Sequence, residues 1–112
     1  MFVYHITQES AYNDQISSGF YVPEGYSHDG FIHCSTAKQV KQVAKRFYQG
    51  QSGLVVLEID AEKLVSSPVF ENLEAGTELY PHLYEPLPVA AVSRVINLPL
   101  NPDQSINFPP IF

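Results

Sequence analysis

The chain has no tryptophan and only one cysteine and one methionine among its 112 residues. A single thiol cannot close an internal disulfide, so burial and hydrogen bonding must hold the fold, and Cys34 fits a reducing compartment. Cations are scarce as well, with six Lys and Arg against twelve Asp and Glu and a formal charge of −6. A phosphate-backbone binder needs a basic face, which excludes DNA as a partner and disfavours RNA. The basic cluster Lys38, Lys41, Lys45 and Arg46 has the spacing of one helix face rather than of a nucleic-acid platform. No apolar run approaches the roughly 20 residues of a membrane span, and residues 1–5 carry neither a basic segment nor a long apolar one. The expectation is a cytoplasmic protein without membrane attachment. Glycine-rich phosphate loops, H-E-x-x-H, G-x-S-x-G and paired C-x-x-C motifs are all missing.

What is present is an apolar content of 45%, enough for the core of one ordinary domain. Three of the four histidines lie inside short apolar runs: Tyr4-His5-Ile6, Phe31-Ile32-His33-Cys34-Ser35 and Tyr80-Pro81-His82-Leu83-Tyr84. An imidazole in a half-buried strand needs hydrogen-bond partners, because desolvating a polar group without them costs about 1–3 kcal/mol. Each is therefore either paired within the core or turned to a pocket where a ligand completes it.

The pattern along the chain predicts strands over 2–6, 31–35, 54–59, 69–71, 78–84 and 92–98. Helices are expected over 8–18, capped by Thr7 and stopped by Gly19, and over 37–49, where Thr36 and Gln39 match a capping box. Residues 21–30 read as a long loop, 60–64 as a single helical turn, 74–77 as a turn and 89–91 as a short helical piece. Pro81 cannot donate to a ladder, which points to an edge strand or a break. The tail 99–112 carries four prolines and is expected to wrap the surface or to be partly disordered. Two N-terminal helices followed mostly by strands without helical crossovers give an α+β domain over 1–98.

Two segments could carry chemistry. In a strand, His33 and Ser35 share one side and Cys34 takes the other, while Ser35 and Thr36 open a helix N-terminus that favours anions. Such a group suits a phosphate, a carboxylate or a ribose; equally, Ser35 and Thr36 are helix caps and His33 a satisfied core histidine. Cys34, with its apolar flank, reads as structural rather than as a nucleophile. In the second segment, alternation puts Glu78, Tyr80, His82 and Tyr84 on one side. Carboxylate, phenol and imidazole together can recognise ribose hydroxyls, which both donate and accept; the alternative is an edge strand packed by its aromatic face. A zinc set from His5, His33 and His82 has no spacing signature, and no metal is expected.

The pieces Tyr4-His5-Ile6-Thr7, Gly30-Phe31-Ile32-His33-Cys34-Ser35-Thr36, Arg46-Phe47-Tyr48, Leu57-Glu58-Ile59-Asp60 and Glu78-Leu79-Tyr80-Pro81-His82-Leu83-Tyr84 resemble a small bacterial family, domain of unknown function 952. That family is similar in fold to ADP-ribosyltransferases, which implies split, mostly antiparallel sheets with an NAD cleft between the halves. The resemblance implies His33 and Glu78 as catalytic residues, with Glu78 on the ribose 2′-hydroxyl. It implies His5 and Ser35 as ligand-binding residues; Thr7 is added to them, and His82 and Tyr84 join without a sure counterpart. The implied partner is a small nucleotide-like ligand, with NAD as a substrate; a binding or sensor module without turnover is the alternative. Nothing in the sequence speaks to oligomeric state.

Overall fold

The longest elements define the frame of the computed structural model, which describes residues 1–72 and 76–112. Strands β1 (Phe2–Gln8), β4 (Leu54–Asp60) and β8 (Val92–Leu98) form an antiparallel sheet in the order β1-β4-β8. Two further antiparallel sheets are smaller. One pairs β2 (Phe20–Tyr21) with β7 (Leu87–Pro88). The other places β6 (Tyr80–Leu83) between β3 (Ile32–His33) and β5 (Val69–Glu71). The helices are short: α1 (Glu9–Asn13), α2 (Tyr26–Asp29) and α3 (Val40–Phe47). The chain is thus a small single-domain α+β protein with antiparallel sheets and few helices.

Both faces of the large sheet are covered, which explains why β4 reads as a continuous apolar run rather than an alternating one. Val3 of β1 with Val55, Leu57 and Ile59 of β4 face a core completed by Tyr12, Tyr21, Ile32, Cys34, Leu83 and Leu87. Tyr4, Ile6, Leu54 and Val56 face a second core with Val40 and Ala44 of α3 and Ile106. His5 lies between Tyr4 and Ile6 on β1 and therefore points to the Val3 side. A register shift at Glu58/Ile59 leaves Ser93 as the extra residue of β8, and its Oγ donates to Glu58 Oε1 at 2.7 Å. Arg94 closes on the same carboxylate through Nε at 3.0 Å and Nη2 at 2.7 Å, and the Tyr4 hydroxyl adds a third donor.

Several expectations change. β1 continues to Gln8, so Thr7 pairs with Val55 in the ladder instead of capping a helix. The helix expected over 8–18 shrinks to α1 and a single 3-10 turn, Ile16–Ser18, which Gly19 ends in the left-handed region at φ 85°. The weak helix formers Asn13, Asp14 and Ser17 account for the break. α3 begins three residues later than 37, although Thr36 N–H still donates to Gln39 Oε1 at 3.0 Å, which is half of a capping box. The loop over 21–30 contains α2, and the turn expected over 74–77 lies partly outside the described residues.

Pro81 sits in a central strand, not at an edge. Its carbonyl accepts from Cys34 N–H at 3.0 Å. N–H and C=O of one antiparallel strand residue point the same way, so its missing donor falls where β3 has already ended at His33. The tail 99–112 is not a loose wrap. Leu100 bridges Ile106, Ile106 is buried, and Phe112 meets the Tyr4 ring edge-on at 5.4 Å between centroids.

Candidate active site

The β3-β6-β5 sheet and the edge of the largest one meet at a single backbone bridge. Tyr4 N–H donates to the Ser35 carbonyl at 2.8 Å, and Ser35 N–H returns a bond to Tyr4 at 2.7 Å. Between the sheets opens a cleft of about 460 Å³ whose walls include His5, His33, Ser35, Arg46, Glu71 and His82. Five aromatic residues, Tyr4, Phe31, Phe47, Tyr48 and Tyr80, also line it. A second, more open cavity of about 590 Å³ shares the wall of His5, Ile6, Pro23 and Tyr48 and extends past Thr7, Gln15, Tyr21 and Tyr26.

His33 and His82 are register partners on β3 and β6, with ring centroids 5.4 Å apart. Each has its own carboxylate. His33, with its side chain 61% exposed, places Nε2 3.1 Å from Asp29 Oδ2. Asp29 ends α2, and Gly30 follows in the left-handed region at φ 80°, which turns the chain directly into Phe31 and β3. His28 and then His33 hold the Asp29 carboxyl below its ordinary range.

His82 is buried and places Nδ1 2.9 Å from Glu71 Oε1, which also accepts from the Tyr84 hydroxyl. Tyr84 first and His82 second hold the Glu71 carboxyl below its ordinary range. Phe31 stacks on the His82 ring at 4.2 Å and 23°, which fixes the imidazole plane. With Nδ1–H donated to Glu71, Nε2 carries the lone pair in the neutral ring. Among the described residues no protein group bonds that nitrogen, and no buried side-chain nitrogen or oxygen there lacks a partner, so Nε2 opens to the cleft.

His5 is built differently. Its Nδ1 lies 2.6 Å from the His33 carbonyl and its Nε2 3.0 Å from the Tyr21 hydroxyl, itself 2.8 Å from Thr7 Oγ1. A carbonyl can only accept, so Nδ1 holds the proton and Nε2 accepts from Tyr21. Thr7 then donates to the Tyr21 oxygen. Burial pushes the His5 imidazole down to about 4 and the Tyr21 phenol up to about 12, so both stay neutral in this chain of bonds. His5 thereby ties β1 to the strand that carries His33.

The residues singled out in the sequence thus divide. His5, His33, Ser35 and His82 line the cleft, Thr7 lines the neighbouring cavity, and Tyr84 reaches Glu71 and lies 5.4 Å from the Phe31 ring. Glu78 is exposed and outside the cleft wall; Gln39 Nε2 donates to it at 2.9 Å and to the Leu79 carbonyl at 2.9 Å. Two carboxylates line the cleft among the described residues, Asp29 and Glu71, and sequence reasoning singled out neither. The signal for Glu71 was available: pairing the expected strand 69–71 with 78–84 as a hairpin brings Glu71 opposite Tyr80, diagonal to His82. Cys34 lies in the core, where burial pushes its thiol up and leaves it unreactive. Among the described residues no group of three His, Cys, Asp or Glu could hold a metal ion, and both His5 nitrogens are already engaged.

The family described as protein of unknown function, DUF952, matches residues 6–95, and the chain belongs to it. Its fold is similar to the crystal structure of protein CC0527 from Caulobacter crescentus, at 30% identity and TM-score 0.84 over 96% of this chain and 94% of that one. The solution NMR structure of CC0527 gives 31% identity and TM-score 0.79 over 93% and 90%. No curated protein sequence matches the chain. No helix among the described residues is long and apolar enough to cross a membrane.

Proposed function

We propose that this chain binds NAD or a related ribonucleotide across the cleft and its neighbouring cavity, and acts there by ribosyl transfer in the manner of ADP-ribosyltransferase-like enzymes. The observation that carries the reading is the convergence of His33, His82 and Glu71 in one aromatic-lined cleft that shares a wall with a second cavity. Each cavity lies in the size range of small-molecule sites, and two adjacent cavities suit a two-lobed dinucleotide. Arg46 is the cation among their described lining residues, with its guanidinium 5.0 Å from the Phe47 ring centroid, and it suits a phosphate. Carboxylates flanking the imidazoles favour a pyridinium ring and the positive charge that develops at C1′ when the nicotinamide leaves.

In this reading Glu71 takes the electrostatic role that the family resemblance assigns to Glu78. His33 and Ser35 border the reacting ribose; His5 acts through the backbone of His33. The position of Glu78 outside the cleft favours a second reading, a ligand-binding module without turnover. NAD at millimolar concentration should raise the melting temperature, and His33→Ala should abolish the rise. No shift with NAD, ADP-ribose or nicotinamide would sink both readings, whereas a shift without release of nicotinamide would leave only the second.

A further inference from the structure

The acceptor of the transferred group is written in the environment of His82. The residue is 5% exposed, its ring is stacked on Phe31, its Nδ1–H is donated to Glu71, and its Nε2 has no protein partner among the described residues, with His82 on the cleft wall. A neutral imidazole oriented by a carboxylate is the arrangement that draws a proton from a hydroxyl at neutral pH. We propose, building on the ribosyl-transfer reading, that His82 is the general base of the reaction and that the acceptor is water or a small neutral hydroxyl compound. Toward the acceptor, Glu71 is a positioning residue, because there it acts through His82.

The step balances without a further reactant. The C1′–N bond of NAD breaks and its electron pair leaves with neutral nicotinamide. The acceptor oxygen forms the new C1′–O bond, and its proton passes to His82 Nε2 and then to solvent. A guanidinium acceptor fits poorly, because it holds its proton too tightly for an imidazole to remove. The enclosure of His82 also restricts the acceptor to small groups.

The test uses the whole chain with NAD, in water and in water–methanol mixtures, with agmatine as a guanidinium acceptor. Nicotinamide release should yield ADP-ribose, methyl ADP-ribose should appear with methanol, and agmatine should not be modified. His82→Gln should slow release by a hundredfold or more while NAD still raises the melting temperature. Other titrating or charged groups face His82: Glu71 from β5, His33 from β3 with Asp29 behind it, Tyr84 beyond β6, and Arg46 and Tyr80 on the cleft wall. Glu71→Gln should slow nicotinamide release with His82 still present, while the NAD-induced rise in melting temperature persists. A His82→Gln protein as fast as the parent, transfer to agmatine in preference to methanol, or NAD binding with no nicotinamide release would each overturn the assignment. The last outcome would leave the binding reading standing; absence of NAD binding would remove both.

Discussion

His5 and His82 are equally buried, at 5% exposure each, and each engages its Nδ1. They differ at the other nitrogen. His5 Nε2 is enclosed by Tyr21 and Thr7, within a chain of bonds that ends inside the protein. His82 Nε2 has no protein partner among the described residues and faces a cleft. A closed network adds rigidity and specifies one arrangement of β1, β2 and β3. An open one leaves a basic atom for something outside the chain. The same residue type at the same burial is thus a structural tie in one region and a candidate catalytic group in the other.

Breaking the closed network should have the largest effect. His5→Ala removes two enclosed hydrogen bonds, strands the Tyr21 hydroxyl and the His33 carbonyl, and leaves a cavity. The expected loss in urea denaturation is about 3–5 kcal/mol. Acid should act on the same place. The unfolded chain protonates this imidazole near its ordinary value of 6.5, the folded one only near 4. The unfolded state therefore binds more protons between those values, and stability is whole above 6.5 and is lost as the pH falls toward 4. The loss amounts to about 3 kcal/mol for a shift of this size. In His5→Gln the slope between pH 6.5 and the carboxylate range should disappear. A parent protein with flat stability there would show that the His5 network is not closed.

The two regions were not equally legible in the sequence. The strand 92–98, the strand 69–71 and the turn after Asp60 follow from local pattern alone. Asp60 Oδ1 accepts from Glu62 N–H as its position before that turn suggests. The His5 network depends on Tyr21, which sits on a two-residue strand held by β7, a pairing across more than 60 residues that no local period reveals. Glu78 comes from the family resemblance and from alternation along its own strand, which names residues on the same side yet is silent on what a neighbouring strand, here the one carrying Glu71, contributes. Pro81 compounded this by suggesting an edge, where no second strand would supply a carboxylate. Thr7 shows the opposite failure: its type suits a cap, but strand pairing with Val55 and the bond to Tyr21 outweigh that local preference.

The smallest effects compare the two regions most directly, because each deletes one tyrosine oxygen. Tyr21→Phe leaves His5 Nε2 enclosed with no donor, and the expected cost is about 1–2 kcal/mol in urea denaturation. Tyr84→Phe also removes a hydroxyl that reaches an imidazole-bound group, but Tyr84 is 47% exposed and Glu71 keeps His82 while water reaches the vacated side. Its expected cost is small, as for other exposed substitutions. The change should appear in titration instead. Tyr84 is the foremost cause holding the Glu71 carboxyl below its ordinary range, so NMR should find that carboxyl titrating closer to its ordinary range in Tyr84→Phe. The NAD-induced rise in melting temperature should persist, since His33 remains in place. Equal stability losses from the two substitutions would mean that the Glu71–His82 pair is as closed as the His5 network, and that the cleft reads as core.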